Sequence, residues 1–233
     1  PRVAYCGFDP SAPGLEARAR EARYAALFDV ARRLGCRTVL TGHHADDALA
    51  GLRALGDSGT PVYLQHGNRD FLIGPTFAAA SGCRLLPDPA RIELDATPTL
   101  LMHGDLLCTD DVDYQKARRR FRNPLFQWLM LRKPLPERRR IAADYRRRSG
   151  EETALKPAEI MDVNPAAVVR ELQRHRVRQL IHGHTHRAAT HRLTLPDGSQ
   201  ARRIVLPEWH SDRAAAWADD GSRLREVQLV QDA

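Results

Sequence analysis

The sequence predicts an α/β layered fold, and three observations carry that expectation. Short apolar runs alternate with stretches of helical periodicity, the pattern of strands and helices stacked in layers. The 233 residues suffice to bury a substantial core. Three of the apolar runs end in one kind of phrase, His-Gly followed by a polar residue: LQHGNRD, LMHGD and LIHGHTH.

Taken in order, VAYC (3–6) is a short apolar run that reads as a first strand. From Gly14 to Leu34, Leu15, Ala19, Ala22, Ala26 and Val30 recur near helical spacing. RTVLTG (37–42) reads as a buried strand and Ala45 to Leu55 as a second helix. PVYLQHGN (61–68), TPTLLMHGD (97–105) and VRQLIHGH (177–184) each read as a strand running into a loop. A helix begins near Asn164-Pro165, an apt cap followed by a first-turn proline. The segment 116–158 interrupts the alternation with helix-like sequence, as an inserted cap would within one domain spanning 1–233.

Charge singles out that same segment. Between Lys116 and Arg148 stand thirteen Lys or Arg against only Glu137 and Asp144, so it carries +11 and leaves −4 for the remainder. Such a segment is built to meet an anionic surface or ligand. LFQWLML (125–131) lies within it, flanked by arginines. It either dips into an anionic bilayer surface or acyl pocket, or packs Leu125, Trp128 and Leu129 into the core. Nucleic acid is not expected as a partner, because few aromatics are interleaved for stacking. No apolar run approaches the roughly 18 residues of a membrane-spanning helix. No secretory pattern is present, and an opening on Pro1 would fit a trimmed chain. Cys6, Cys36, Cys83 and Cys108 are scattered, which indicates free thiols in the cytoplasm.

The repeated phrase points to one site. Strand C-terminal ends in an α/β sheet share an edge where ligands bind, and glycine after the strand permits a sharp turn. Asn68, His103, His184 and His186 are therefore expected to converge, and imidazoles with an amide oxygen suit Mn, Fe or Zn.

GNRD, the later HGD and GHTH together resemble the calcineurin-like metallophosphoesterases. HGNRDFLIG (66–74), HGDLLCTDDVDYQ (103–115), FRNPLFQWL (121–129), PLPERRRIA (134–142) and LIHGHTHR (180–187) narrow the likeness to the UDP-2,3-diacylglucosamine pyrophosphatase family of the lipid A pathway. The resemblance runs from about Gly56 to the C-terminus. It implies a layered metallophosphoesterase sandwich with a helical cap insertion, two Mn2+ ions, and an acylated UDP-sugar substrate cleaved to UMP. It further implies a cytoplasmic protein, peripheral on the anionic inner face of the inner membrane. By the same resemblance Asn68, His103, His184 and His186 are metal ligands. Asn68, Arg69, Asp111, Ser149, Lys156 and His184 would hold substrate, with Thr153 standing where the family has Asn.

The N-terminal part, about 1–55, departs from that family. Neither its Asp-x-His nor its bridging Gly-Asp is found where expected before Asn68, since Gly56-Asp57 stands on the wrong side of the third strand. Residues 14–48 instead resemble part of a tRNA-isoleucine lysidine synthetase, without the SGGxDS nucleotide loop of that family. TGHHADDALAG (41–51) would then lie beside Asn68, RTVLTG taking the place of the second strand. Asp9, His43, Asp46 and Asp47 are the candidate substitutes for the missing ligands; alternatively Asp46 and Asp47 merely occupy a helix first turn. Three functions are carried forward: the pyrophosphate hydrolase, a lipid-sugar and metal binding protein with little turnover, and a tRNA-modification fragment.

Overall fold

The structure, a computed structural model, describes residues 38–40, 52–53, 56–57, 61–94, 96–154, 156–157, 160–208, 215–219 and 223–228, with backbone alone for 38–40 and 152–154. The strand expected at 3–6, the helix at 14–34, and Asp9, His43, Asp46 and Asp47 lie outside them. The chain forms two compact units, one made of Pro1–His103 with Glu171–Ala233 and the other of Gly104–Arg170.

The first unit is built on sheets. Its largest has five strands: β4 (Ala90–Leu94), β5 (Thr97–Met102), β6 (Gln179–His182), β8 (Gln200–Val205) and β7 (Ala189–Thr194), in that spatial order. β6 runs parallel to both its neighbours, β5 and β8, and all four of its residues are buried. Burial on both faces explains why QLIH reads as an unbroken run and not an alternation. β4 and β7 close the two sides in antiparallel fashion. β7 presents Thr190, His191, Arg192 and Thr194 as polar cover on an edge that would otherwise recruit another strand.

A second sheet joins β1 (Thr38–Leu40), β9 (Ala215–Asp219) and β10 (Leu224–Gln228), all antiparallel. Trp217 and Leu224 from this sheet pack on Leu94, Ile181, Ile204 and Leu206, so two sheets share one apolar layer. Each large aliphatic chain fully withdrawn from water there contributes about 1.5–3 kcal/mol. The expected strand at 37–42 is thus present at Thr38–Leu40. Its described partner is β9, however, and not a strand of the sheet that was to carry Asn68. β9 meets it with Trp217, Ala218 and Asp219, of which Ala218 and Asp219 are buried.

β2 (Val62–Gln65) and β3 (Cys83–Leu86) form a small parallel pair joined through α1 (Pro75–Ser81). Leu52, in a short helical stretch, and Cys83 make its core with Val62, Leu64 and Phe77. Gln65 ties the pair to β5, donating from Nε2 to the Leu101 carbonyl at 3.1 Å and to the Pro87 carbonyl at 2.7 Å.

The second unit is helical: α2 (Val112–Phe121), α3 (Pro124–Arg132), α4 (Leu135–Ala154) and the start of α5 (Pro165–His175). The basic segment falls on α2, α3 and α4. Asn123 caps α3 by accepting the Leu125 and Phe126 amides, with Pro124 in the first turn. Asn164 caps α5 as expected, its Oδ1 accepting the Ala167 amide at 3.1 Å. The fully buried Asp105 carboxylate organises the unit. Oδ2 accepts from Arg118 Nε at 2.8 Å and from the Tyr114 hydroxyl at 2.9 Å; burial first, and then the Asp105 carboxylate, drive the phenol's pKa upward. Leu125, Trp128, Leu129 and Leu131 are all close to half exposed or more, so α3 does not pack these side chains into a core. Its cationic flank folds onto the aromatic: the Arg132 guanidinium lies 3.7 Å from the centre of the Trp128 ring.

A polar chain crosses the central strands of the first unit. Gln179 Nε2 donates to Thr99 Oγ1 at 2.8 Å, and Gln179 Oε1 accepts from Arg202 Nε at 2.8 Å and from Arg202 Nη2. Thr99 and Gln179 are enclosed, and Thr99, Gln179 and Arg202 face one another in register across β5, β6 and β8. Gln179→Ala would leave a buried hydroxyl and a guanidinium without their shared partner. It should cost about 2–3 kcal/mol in chemical denaturation, whereas Gln200→Ala at the exposed start of β8 should be nearly neutral.

The thiols give a second test. Burial first, and then the nearby Asp105, Asp162, Asp111 and Asp110 carboxylates, push the Cys108 pKa from 9.0 up to about 12; burial also raises that of Cys83. The unfolded thiol ionises at lower pH than the folded one. The stability Cys108 contributes is therefore complete below about pH 8.5 and is lost as pH rises from there toward 12. In a Cys6→Ser/Cys36→Ser background, native protein at about pH 8 should resist alkylation at Cys83 and Cys108 and react at both once denatured, as read by peptide mass mapping.

Candidate functional site

The parallel run β5–β6–β8 delivers three loops to one edge, because Met102 pairs with His182 and His182 with Val205. The pairing continues past the strands. The Gly183 amide donates to the His103 carbonyl at 3.0 Å and the Leu206 amide to the His182 carbonyl at 2.7 Å. The His103 amide is itself held by Asp88 Oδ1 at 3.1 Å. With both backbones anchored, the His103 and His184 rings meet edge to face, their centroids 4.9 Å apart.

Strain accompanies this placement. His184 (φ 69°) and His186 (φ 57°) both adopt left-handed backbone, around a Thr185 amide that donates to the Gly183 carbonyl at 2.8 Å. Such conformations cost non-glycine residues on the order of 1 kcal/mol or more and gather at functional sites. Arg176 also has positive φ, but it ends α5 where the Val177 amide returns to the Leu172 carbonyl, an ordinary helix stop.

The loop after β2 approaches the same ring. A Cβ placed on Gly67 would lie 3.1 Å from His103 Cε1, 3.3 Å from His103 Nδ1 and 3.2 Å from Asp70 Oδ1. Gly67 is thus the residue whose smallness lets the Asn68 loop lie against His103. Asp70 is only 7% exposed, and among the described residues its Oδ1 has no hydrogen-bond partner. A buried carboxylate oxygen left so beside an imidazole suits a cation.

His186 turns to a different neighbour. Its Nδ1 stands 2.9 Å from Glu208 Oε1, in the loop that follows β8. The structure therefore brings together His103, His184 and the Gly67–Asp70 loop that carries Asn68, while His186 pairs with Glu208. Among the described residues no group of three or more His, Cys, Asp or Glu side chains is gathered to hold a metal ion. The donors fit a divalent transition ion in kind, with imidazole nitrogens and an unsatisfied carboxylate oxygen. Asp57 of the misplaced Gly-Asp is exposed and paired with Arg53.

Asp70 and Glu208 were not singled out from the sequence. Asp70 sits inside the quoted HGNRD phrase, where its signal was overshadowed by the Asn. Glu208 follows RIVLP, a strand end like the others but without the His-Gly mark.

The remaining candidates are distributed between the units. Arg69 is exposed in the first. In the second, Lys156 Nζ lies 2.7 Å from both carboxylate oxygens of Asp111, which also caps α2 by accepting the Tyr114 amide at 3.1 Å. Ser149 is exposed on α4, and Thr153 is in the same helix with its side chain outside the described set.

The tight approach at Gly67 can be probed directly. Gly67→Ala should destabilise the protein by about 1–3 kcal/mol, because His103 or Asp70 must move. Gly150→Ala, which meets open space on α4, should gain about 0.5–1 kcal/mol. Thermal and denaturant unfolding of the two variants supplies the comparison.

No family model matches the chain. Curated relatives do. The UDP-2,3-diacylglucosamine hydrolase of Pseudomonas entomophila is 54% identical over 158 residues, 68% of this chain and 65% of that protein. The enzyme of the same name from Azotobacter vinelandii is 51% identical over 164 residues, 70% of this chain and 68% of its own length. That from Pseudomonas aeruginosa is 52% identical over 158 residues, 68% and 65% respectively. The chain thus spans about two thirds of the length of these relatives. The likeness of residues 14–48 to a lysidine synthetase gains no support from these comparisons. With half or more of the residues identical across the stretch matched, the chain belongs to the UDP-2,3-diacylglucosamine hydrolase family.

Proposed function

We propose that this chain hydrolyses the pyrophosphate bond of UDP-2,3-diacylglucosamine, giving UMP and 2,3-diacylglucosamine 1-phosphate for lipid A biosynthesis. One observation carries the reading: a chain of this family sets His103 and His184 in ring contact at the shared edge of two parallel strands. Asn68, His103, His184 and His186 would hold the divalent ions, Mn2+ in this reading, and Asp70 adds a carboxylate. Asp9, His43, Asp46 and Asp47 stand as candidates for the rest of the set. Divalent ions at such a site supply charge against the phosphoryl oxygens and make a water acidic enough to attack.

The chain's own residues would bind and orient the substrate. Arg69 offers a planar guanidinium to a phosphate. In the helical unit, Ser149 and Thr153 offer hydroxyls. Lys156 offers an ammonium that Asp111 now holds by both oxygens, and that held geometry limits the rotamers the long side chain must lose on binding. Leu125, Trp128, Leu129 and Leu131, ringed by arginines, suit acyl chains or an anionic bilayer surface, as a peripheral protein at the inner face of the inner membrane requires. Among the described residues no helix is long and apolar enough to cross a membrane.

A second reading, a lipid-sugar and metal binding protein with little turnover, is favoured by the sequence, in which the family's Asp-x-His and bridging Gly-Asp do not stand where expected before Asn68. Metal content and UMP release from Mn2+-loaded protein separate the two. The hydrolase should take up two ions per chain and lose activity about a hundredfold or more in His184→Ala. At most one ion with no UMP release would leave only the binding protein.

A further inference from the structure

We propose that Asp88 is a positioning residue for His103, its carboxylate clamping the His103 amide so that the ring stays against His184. The inference rests on the hydrolase reading above and adds a residue to the strand-end site. β4 and β5 pair as far as Ala90 and Leu101, and the same register carried two residues further sets Asp88 opposite His103. The strand does not reach that far. β4 begins at Ala90, behind Pro87 and Pro89, whose fixed φ and missing N–H suit a turn more than a sheet. At His103 it is the side chain of Asp88 that accepts the amide, Oδ1 standing at 3.1 Å. A carboxylate oxygen holds a backbone N–H more strongly than a neutral acceptor does.

The segment that bears Asp88 is itself tied down. Gln65 donates to the Pro87 carbonyl at 2.7 Å and to the Leu101 carbonyl at 3.1 Å, so one amide joins the neighbour of Asp88 to the strand that ends at His103. From β6 the Gly183 amide reaches the His103 carbonyl at 3.0 Å. His103 is thus held from both sides just before Gly104 turns the chain at φ 116°. Its ring has little room to move. A Cβ on Gly67 would already lie 3.1 Å from His103 Cε1, and the His184 ring centroid is 4.9 Å away. A backbone set loose by about an ångström would break one contact or crowd the other, and a displacement of that size can slow a reaction about a hundredfold. By contrast, the Ser81 hydroxyl returns to the Phe77 carbonyl four residues back in its own helix, where proximity alone explains the bond.

The test uses the full chain and two variants: Asp88→Ala, which removes the acceptor, and Asp88→Asn, which keeps an uncharged one. In the parent the His103 amide should exchange with solvent at least about a hundredfold more slowly than an exposed loop amide. NMR of the metal-free parent should show a nuclear Overhauser cross-peak between the His103 and His184 rings, kept in Asp88→Asn and lost in Asp88→Ala. In Mn2+-loaded protein, kcat for UMP release should fall about ten- to a hundredfold in Asp88→Ala, with KM changed less than about twofold, and Asp88→Asn should recover most of it. Free exchange of the His103 amide in the parent would overturn the proposal, even if Asp88→Ala did not fold. So would a ring cross-peak absent from the parent or unmoved by Asp88→Ala, a parent kcat that Asp88→Ala retains, or an Asp88→Asn as impaired as Asp88→Ala. If the parent releases no UMP, the hydrolase reading falls alone, and amide exchange with the ring cross-peak still decides whether Asp88 places His103.

Discussion

The hydrogen-bonded chain Thr99–Gln179–Arg202 is the constraint on which the candidate site depends. It runs across β5, β6 and β8 at the end of those strands opposite the histidines. Strand register moves in steps of one residue, and each step exchanges the two faces of a strand. Apolar contacts among Leu94, Ile181 and Ile204 favour the right face but are tolerant of shape. A buried amide with one donor target and one acceptor target is not tolerant, because a slipped register would bury its groups unpaired. Fixing Gln179 opposite Thr99 and Arg202 sets Met102 opposite His182 and Val205. The loops bearing His103, His184 and Glu208 therefore leave the sheet at one level.

This arrangement explains which parts of the site were legible in the sequence. His103 and His184 could be read because each follows an apolar run and a glycine, and the parallel pairing of β5 with β6 turns that likeness into contact. His186 also lies in the marked phrase, but its partner is a residue whose strand was not recognised. β8 carries Arg202 and Arg203 in its middle, which breaks the apolar run; Arg202 is there because it completes the polar chain. The feature that sets the register thus hid the strand that brings Glu208. Asp70 was obscured differently, since only the tight space at Gly67 shows that its carboxylate and the His103 ring both crowd that glycine.

The fold was legible to a similar depth. Long or repeated signals, such as the helix opening at Asn164-Pro165 and the strands before each His-Gly, stand where the sequence put them. The edge strands β4 and β7 and the strands β9 and β10 of the second sheet were not foreseen. Their short segments mix charge with apolar residues, and only tertiary pairing gives them strand character. The helical character of the basic segment was foreseen, but not the buried Asp105 that ties Arg118 and Tyr114 together within it.

The connection between β5 and β6 has a kinetic consequence. Thr99 and Gln179 touch although 80 residues separate them, and Gly104–Arg170 lies wholly within that interval. Bringing the ends of so long a flexible segment together costs on the order of 4 kcal/mol in chain entropy before any strand contact is gained. Helix formed early within the interval shortens the effective loop and lowers that cost. The rate at which the strand-end histidines meet is then governed in part by the order in which a helical segment acquires structure, although His103, His184 and His186 all lie outside that segment.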